Sequence, residues 1–244
     1  MIRYLCVVFT VVSFLILFIP ALLFEWFIGK VNPSFKDRSS LILIQLMFRV
    51  CLWFSGAKVT TIGLENVPKD QAVLYIANHR SVFDILLTCV RFKGPTGFIS
   101  KLEMNKWPLL NLWMRNIHCL FLDRKDLRQG LKVILESIEK VKSGISICVF
   151  PEGTRSKKPD QFLPFHEGSF RIATKTNCPI IPIAINNAHA IFEDQFPKIR
   201  PVTVILEYGT PIHLEELSDE NKKYIGAYTQ KIIEEMYHKN KALI

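Results

Sequence analysis

Several signatures are missing from this sequence. Its six cysteines, Cys6, Cys51, Cys89, Cys119, Cys148 and Cys178, are too far apart for any C-x-x-C, which removes zinc ribbons and thioredoxin-type motifs. Several lie inside apolar runs, so they read as small buried hydrophobes of a reducing compartment. There is no G-x-S-x-G segment, which excludes a serine hydrolase built on a nucleophile elbow. Zinc-finger, RNP-type and basic-zipper patterns are absent too, so no nucleic-acid partner is expected. No internal repeat, low-complexity tract or long linker interrupts the 244 residues. With 22% charged and 49% hydrophobic residues, disorder, coiled coil and collagen are excluded. The length suits one domain with a core large enough to need no disulfide or metal.

The mean hydropathy, +0.21, is high for a soluble enzyme, and the apolar weight is concentrated. Eight of the 18 phenylalanines fall in residues 1–58. Tyr4 to Ile28 is almost wholly apolar, broken by Pro20 and Glu25. As one helix it would reach roughly 37 Å, enough for the ~30 Å hydrocarbon core of a bilayer. The run is too long for a signal-peptide core and lacks a small-x-small cleavage pattern, so a retained anchor is expected. Leu41 to Gly56, carrying Gln45 and Arg49, reads as an amphipathic interfacial helix or the second arm of a re-entrant hairpin. Arg3 precedes the first run and Lys30, Lys36 and Arg38 follow it. The positive-inside rule then puts the rest of the chain on the cytoplasmic face. The net charge of +9 suits an anionic membrane surface or a phosphorylated substrate.

Beyond Lys58, runs rich in Val and Ile alternate with helical patterns. The strand candidates are Ala72–Ala77, Gly97–Ser100, Ile117–Leu122, Ile145–Phe150, Ile180–Ile185 and Val202–Glu207. They show little polar alternation, as strands buried on both faces do. Leu127–Lys142 is the clearest helix, with Leu127, Leu131, Ile134, Ile138 and Val141 on one stripe. Ile85–Val90 belongs to another helix and Ser218–Lys239 to a terminal amphipathic one. This alternation predicts an α/β fold: a largely parallel sheet flanked by helices over residues 59–244, preceded by an N-terminal membrane-docking helical segment, residues 1–58.

Four segments stand at or near strand ends. Asn78-His79-Arg80-Ser81-Val82-Phe83-Asp84 follows the first. On a continuous helix His79 and Asp84 would lie about 140° apart. They meet only if His79 is in the loop and Asp84 near the helix start. Such a pair makes a general base, the carboxylate fixing the imidazole tautomer. Taken alone, Ser81-x-x-Asp84 also fits an ordinary helix cap. Phe150-Pro151-Glu152-Gly153-Thr154-Arg155-Ser156 combines a glycine that admits close backbone approach with the planar fork of Arg155, suited to phosphate. Lys157 and Lys158 add to its positive field. Phe121-Leu122-Asp123-Arg124 offers a second arginine, and Ile181-Pro182-Ile183-Ala184-Ile185 reads as a strand whose proline marks a start or bulge. Two candidate ligands, His79 and Asp84, are too few for a metal site.

Together and in this order, the four segments resemble the signature of the glycerolipid acyltransferase family, and within it the 1-acylglycerol-3-phosphate acyltransferases: N-H-x4-D, F-x-x-R, F-P-E-G-T-R-S and a proline-centred apolar strand. The resemblance covers essentially everything after Lys58. It implies that His79 is the general base and Asp84 its orienting carboxylate. Arg124, Glu152, Gly153, Thr154 and Arg155 would shape the site for the acceptor's glycerol phosphate. Lys101 matches a family lysine and would add a phosphate contact, while Pro164-Phe165-His166-Glu167-Gly168 would support the site. One position departs from the pattern: His118 stands where the family usually has glycine, three residues before Phe121.

The implied reaction is direct transfer of a fatty acyl group from acyl-CoA or acyl carrier protein to the free hydroxyl of lysophosphatidic acid, with no cofactor beyond that co-substrate. Backbone N–H groups near the helix start are expected to hold the oxyanion. Rival readings are another lysophospholipid or glycerol 3-phosphate as acceptor, a lipid hydrolase or transacylase using the same His–Asp pair, and a non-catalytic lipid-binding protein. Cys148 lies inside an apolar strand without an activating partner, so no thiol nucleophile is expected.

Overall fold

Pro20 decides how the first apolar run folds. The computed structural model describes residues 1–156 and 161–244; Lys157 and Lys158 lie outside the described residues. Helix α1 (Ile2–Leu17) stops at Phe18, and α2 (Ile19–Val31) restarts with Pro20 in its first turn. Proline has no N–H for the carbonyl four residues back, and its ring crowds that carbonyl. The two helices bend by 52°, so the single long span expected from Tyr4 to Ile28 is corrected to a broken pair. Helix α3 (Pro33–Ser55) begins eight residues before the Leu41–Gly56 stretch expected from the sequence. The Asn32 side chain accepts from the Phe35 N–H at 3.0 Å, and Gly56 closes the helix at φ 72°. Arg3 donates to the Phe54 carbonyl at 3.0 Å, which sets α1 antiparallel to α3.

Gln45 does not face lipid. Its amide is buried and donates to the carbonyls of Cys89 and Phe92 at 2.9 and 2.8 Å. Phe14 meets the Trp113 ring at 5.0 Å between centroids, so these helices share a core with the rest of the chain. Their outer faces leave Phe9, Trp26, Phe27 and Trp53 between 62% and 74% exposed. By length and composition α3 would cross a membrane, as would α1 and α2 taken as one bent pair; 39% of the α3 window is buried in protein.

The remaining elements are β1 (Lys58–Ile62), β2 (Leu74–Ala77), α4 (Phe83–Cys89), β3 (Thr96–Lys101), α5 (Leu110–Asn116), β4 (Leu120–Leu122), α6 (Leu127–Lys142), β5 (Ser146–Val149), α7 (Arg171–Thr176), β6 (Ile180–Asn186), β7 (Thr203–Tyr208), α8 (Asp219–Lys223) and α9 (Ile225–Asn240). The sheet order is β1-β7-β6-β2-β5-β3-β4. Every neighbouring pair is parallel except β6–β7. Five strands therefore end on one edge of the sheet, with β2 at their centre between β5 and β6. Alternate residues of β2 serve two cores. Tyr75 and Ala77 pack with α1–α5, while Leu74 and Ile76 pack beneath α6, α7 and α9. This accounts for the unbroken apolar strand runs.

Four details depart from the sequence expectations. Strand β1 was not foreseen because Lys58-Val59-Thr60-Thr61-Ile62 is a half-exposed edge strand with few apolar residues. Strand β7 runs against β6, which no side-chain pattern encodes. The run Ile117–Leu122 yields only the three residues of β4, because Ile117 ends α5 and His118 adopts φ 62°. On α6, Leu127 is 90% exposed and Leu131 half-exposed; the buried face is Val133, Ser137, Ile138 and Val141.

Candidate active site

Helix α4 begins three residues after Arg80, which leaves His79 in the loop and Asp84 in the first turn. That is the one arrangement in which the two side chains meet. His79 Nδ1 lies 2.9 Å from Asp84 Oδ2, with Asp84 1% exposed. The same oxygen accepts from the Arg80 and Ser81 N–H groups, each at 2.8 Å. The carboxylate thus fixes both the ring and the loop that carries it. The capping geometry Ser81-x-x-Asp84 is present only in part, since the Ser81 hydroxyl accepts from Phe83 N–H at 3.0 Å. The outer face of the imidazole stacks on Phe150 at 4.3 Å. With Nδ1 on Asp84, Nε2 is the ring nitrogen left for a substrate proton.

The loop after β5 wraps this histidine. Glu152 Oε1 accepts from His79 N–H at 2.8 Å and Oε2 from Leu163 N–H at 3.1 Å. The Ser156 N–H donates to the His79 carbonyl at 3.0 Å. Glu152 is 3% exposed, and burial raises its pKa above the ordinary 4.5, the two N–H donors working against that shift. Both carboxylate oxygens accept from backbone, so Glu152 ties the His79 loop to the 163 segment. Gly153 stands at φ 70° with a Cβ position 3.3 Å from the His166 ring. The positive φ favours glycine there, while the exposed His166 ring could yield the few tenths of an ångström a Cβ would need. Thr154 and Arg155 are exposed on this turn. His166 N–H returns to the Pro151 carbonyl at 3.0 Å, so the 164–168 segment backs the turn.

Two partners were not read from the sequence. The buried Asn78 amide donates to the Ile185 carbonyl at 2.9 Å and accepts from the Ile185 N–H at 2.8 Å. It acts as one more residue of β2 and ties the strand exit to β6. Glu193, in a short turn after β6, accepts from the Ser81 hydroxyl at 2.6 Å, the Val82 N–H at 2.8 Å and Arg155 at 2.9 Å. Asn78 belongs to a recognised segment but had no assigned role. Glu193, among Phe192-Glu193-Asp194, reads as an ordinary surface acid, and no local pattern marks it.

The helix-start N–H groups are therefore engaged: residue 79 with Glu152, 80 and 81 with Asp84, 82 with Glu193 and 83 with Ser81. The expectation that they stabilise an oxyanion is corrected, because each already has an acceptor.

The cations divide into two groups. Lys101 ends β3, in register with Leu122 at the end of β4, two residues before Arg124. Strand spacing of about 4.8 Å puts the β4 exit about 14 Å from that of β2. Partial burial lowers the Arg124 pKa, opposed by the Glu103 charge. An under-solvated cation of this kind favours an anionic ligand. Arg155 lies on the other flank of His79, toward β6, held by Glu193. A groove of about 470 Å³ is lined by Arg124, Leu127, Leu131, Phe150, Gly153 and His166. The exposed leucines of α6 form its outer wall. A larger cavity of about 730 Å³, beside Glu207, Tyr208 and Met236, contains none of the site residues.

His118 stands at φ 62°, in the left-handed region that glycine adopts most readily. Its ring reaches α3, with Nε2 3.0 Å from Asp37 Oδ2. Gly97 is required opposite it, since a Cβ there would overlap the His118 carbonyl. Cys148 is fully buried on β5 and burial pushes its thiol pKa well up; it is no nucleophile.

A parallel sheet whose central strand delivers a histidine–carboxylate pair into the crevice, with cations on the neighbouring exits, defines an α/β transferase or hydrolase class of site. The chain belongs to the acyltransferase family, whose sequence model matches residues 58–186. It is similar to the 1-acyl-sn-glycerol-3-phosphate acyltransferase of Borreliella burgdorferi, with 27% identity over 76% of this chain and 74% of that protein. It is similar also to the enzyme of that name from Saccharomyces cerevisiae, with 28% identity over 80% of this chain and 64% of that one. Among solved structures it resembles the 1-acyl-sn-glycerophosphate (LPA) acyltransferase PlsC from Thermotoga maritima. The TM-score is 0.83 at 28% identity, covering 99% of this chain and 95% of that one.

Proposed function

We propose that this chain transfers a fatty acyl group from a thioester to the free hydroxyl of 1-acylglycerol 3-phosphate, giving phosphatidic acid for phospholipid synthesis. The observation that carries this reading is the 2.9 Å contact between His79 Nδ1 and the buried Asp84 carboxylate. It stands in a chain that matches 1-acyl-sn-glycerol-3-phosphate acyltransferases along most of its length. His79 Nε2 takes the hydroxyl proton, and the oxygen bonds to the thioester carbonyl carbon. The tetrahedral adduct then collapses, the C–S bond breaks, and the leaving thiolate recovers the proton from His79. A thioester is already activated, so no covalent enzyme intermediate and no cofactor enter. Lys101 and Arg124 receive the acceptor's phosphate monoester, whose nearly two charges suit such contacts. Gly153 and Thr154 shape the turn beside it.

The donor is acyl-CoA or acyl carrier protein. The exposed apolar faces of α1–α3 seat the protein on a membrane, the source of its lipid acceptor. By the positive-inside rule, the lysine and arginine residues flanking them support a cytoplasmic catalytic part.

The test is an acyl-transfer assay of the purified chain with a panel of acceptors and both donor types. His79→Ala is expected to lose about 10²–10⁴-fold in rate while remaining folded. Near-wild-type turnover of that variant removes the mechanism. A wild-type preference for lysophosphatidylcholine, or His79-dependent turnover without a thioester, points to a different acyl-lipid reaction.

A further inference from the structure

The groove beside the base continues onto a surface that membrane seating does not explain. Helix α6 lies with α7 and α9 on the face of the sheet opposite α1–α3, so seating the chain on lipid by α1–α3 turns α6 away from the bilayer. The first half of α6 nevertheless displays a row of leucines. Leu127, Leu131 and Leu135 recur every four residues and are 90%, 50% and 54% exposed. The row runs about 12 Å along the helix. Contiguous exposed apolar surface beside a site marks a place where something binds.

A row of cations runs beside the leucines. At about 100° per residue, Arg128 and Lys132 flank them on one side, and both are exposed. The acids of this helix are engaged elsewhere: Glu136 pairs with Lys140 at 3.9 Å, Glu139 with Lys142 at 2.9 Å, and Asp126 accepts from the Arg128 and Gln129 N–H groups. Among the described residues neither Arg128 nor Lys132 forms an ion pair. Residues 124–132 carry Arg124, Lys125, Arg128 and Lys132 against Asp126 alone. The same surface opens on the base. The groove of about 470 Å³ is walled by Leu127 and Leu131 and reaches Phe150, whose ring stacks on His79 at 4.3 Å. A thioester lying along the groove therefore ends at His79.

The two donor types differ in what they bring to this face. Beyond the thioester-bearing arm, CoA ends in a phosphorylated nucleotide, which leaves a leucine row in water. A carrier protein brings a folded surface, and one that sets carboxylates among apolar side chains covers the leucines and pairs with Arg128 and Lys132. We propose that the exposed face of α6 is the docking surface for an acidic protein carrier of the acyl chain, whose thioester arm enters by the groove. The proposal rests on the reading of the chain as an acyltransferase and names its donor. Cations at the rim of such a contact act on association and on its salt dependence.

The full chain is assayed in mixed micelles holding 1-acylglycerol 3-phosphate, with palmitoyl-acyl carrier protein and palmitoyl-CoA as alternative donors. Wild type is compared with Arg128→Glu/Lys132→Glu and with Leu135→Ser, all at exposed positions, with thermal unfolding as a fold control. The double charge reversal is expected to raise the carrier-protein KM at least about 10-fold and to leave the palmitoyl-CoA KM within about 3-fold of wild type. Leu135→Ser should raise the carrier-protein KM about 3–10-fold through lost apolar burial, again sparing palmitoyl-CoA. The wild-type carrier-protein KM should rise with salt, which screens exposed pairs; a KM independent of salt overturns the proposal whatever the variants do. Equal shifts for the two donors, or none for either, overturn it. So does loss of binding to anionic vesicles by the charge-reversed protein with both KM values unchanged, which would place α6 against lipid. A wild type that uses palmitoyl-CoA and not the carrier protein defeats the docking surface alone. A wild type that uses neither donor defeats the acyltransferase reading first.

Discussion

Asp84→Asn isolates the charge of the orienting carboxylate with almost no change of shape. Three donors converge on Asp84 Oδ2: His79 Nδ1 at 2.9 Å and two backbone N–H groups at 2.8 Å. The side chain is 1% exposed, so water does not replace a lost acceptor. Hydrogen bonds to a charged group contribute about 1.5–3 kcal/mol against about 0.5–1.5 for neutral pairs. If the amide oxygen takes the place of Oδ2, three bonds lose about 1 kcal/mol each, about 3 kcal/mol in all. For a chain of this length that corresponds to a fall in Tm of roughly 6–12 °C. If the amide nitrogen points there, donors face donors and the loss is larger. Catalysis should suffer more than stability, because the neutral amide no longer stabilises the imidazolium and permits the wrong tautomer; about 10²–10⁴-fold in kcat is expected. Acyl transfer and thermal unfolding are measured on the same preparation. A folded Asp84→Asn with kcat within about 3-fold of wild type would show that Asp84 serves only as a cap for the loop, and the base assignment would fall. An unchanged Tm would mean that the three bonds do not have the charged character argued for them.

Two further predictions follow from burial and exposure. Replacing Phe9, Trp26, Phe27 and Trp53 together by serine should weaken binding to anionic vesicles at least about 100-fold, since each exposed aromatic inserted into lipid contributes about 1 kcal/mol or more, while leaving Tm within a few degrees. Unchanged sedimentation with vesicles would remove these faces as the docking surface. Glu152 has a pKa raised by burial above 4.5, so its contribution to stability is fully present below about pH 4.5 and is lost as pH rises through the raised value. The stability difference between wild type and Glu152→Gln should therefore move in favour of the glutamine variant as pH increases through that window. A difference independent of pH would show that the carboxyl does not titrate in the folded protein.

Local chemistry made much of this molecule legible from its residues. Apolar runs with little polar alternation marked β2, β5 and β6, because strands covered on both faces have none to display. The start of α3 was missed, because its first turns, Pro33 to Ser40, are largely polar and only the Asn32 cap and Pro33 mark it. The four segments identified the family and nominated His79 and Asp84. What remained illegible depends on partners distant in sequence. The half-exposed β1 lacks a strong run, and the reversal of β7 against β6 is a choice of pairing that leaves no trace in either strand. Leu127 and Leu131 keep helical spacing whether they enter a core or, as here, wall a groove; only the packing of α6 on the sheet decides. Gln45 looked like the polar side of an interfacial helix until Cys89 at the end of α4 and Phe92 just beyond it supplied carbonyls for it. Glu193 is the sharpest case, an acidic residue among others whose role exists because the β6 turn passes within hydrogen-bond reach of Ser81, Val82 and Arg155. Sequence alone determined which chemical groups the chain carries and where its strands and caps arise, because propensity and capping are short-range. Tertiary structure decided which groups share a hydrogen bond or an ion pair, because hydrogen bonds need close, aligned partners and charges act strongly only near one another, so both depend on where the fold brings distant residues.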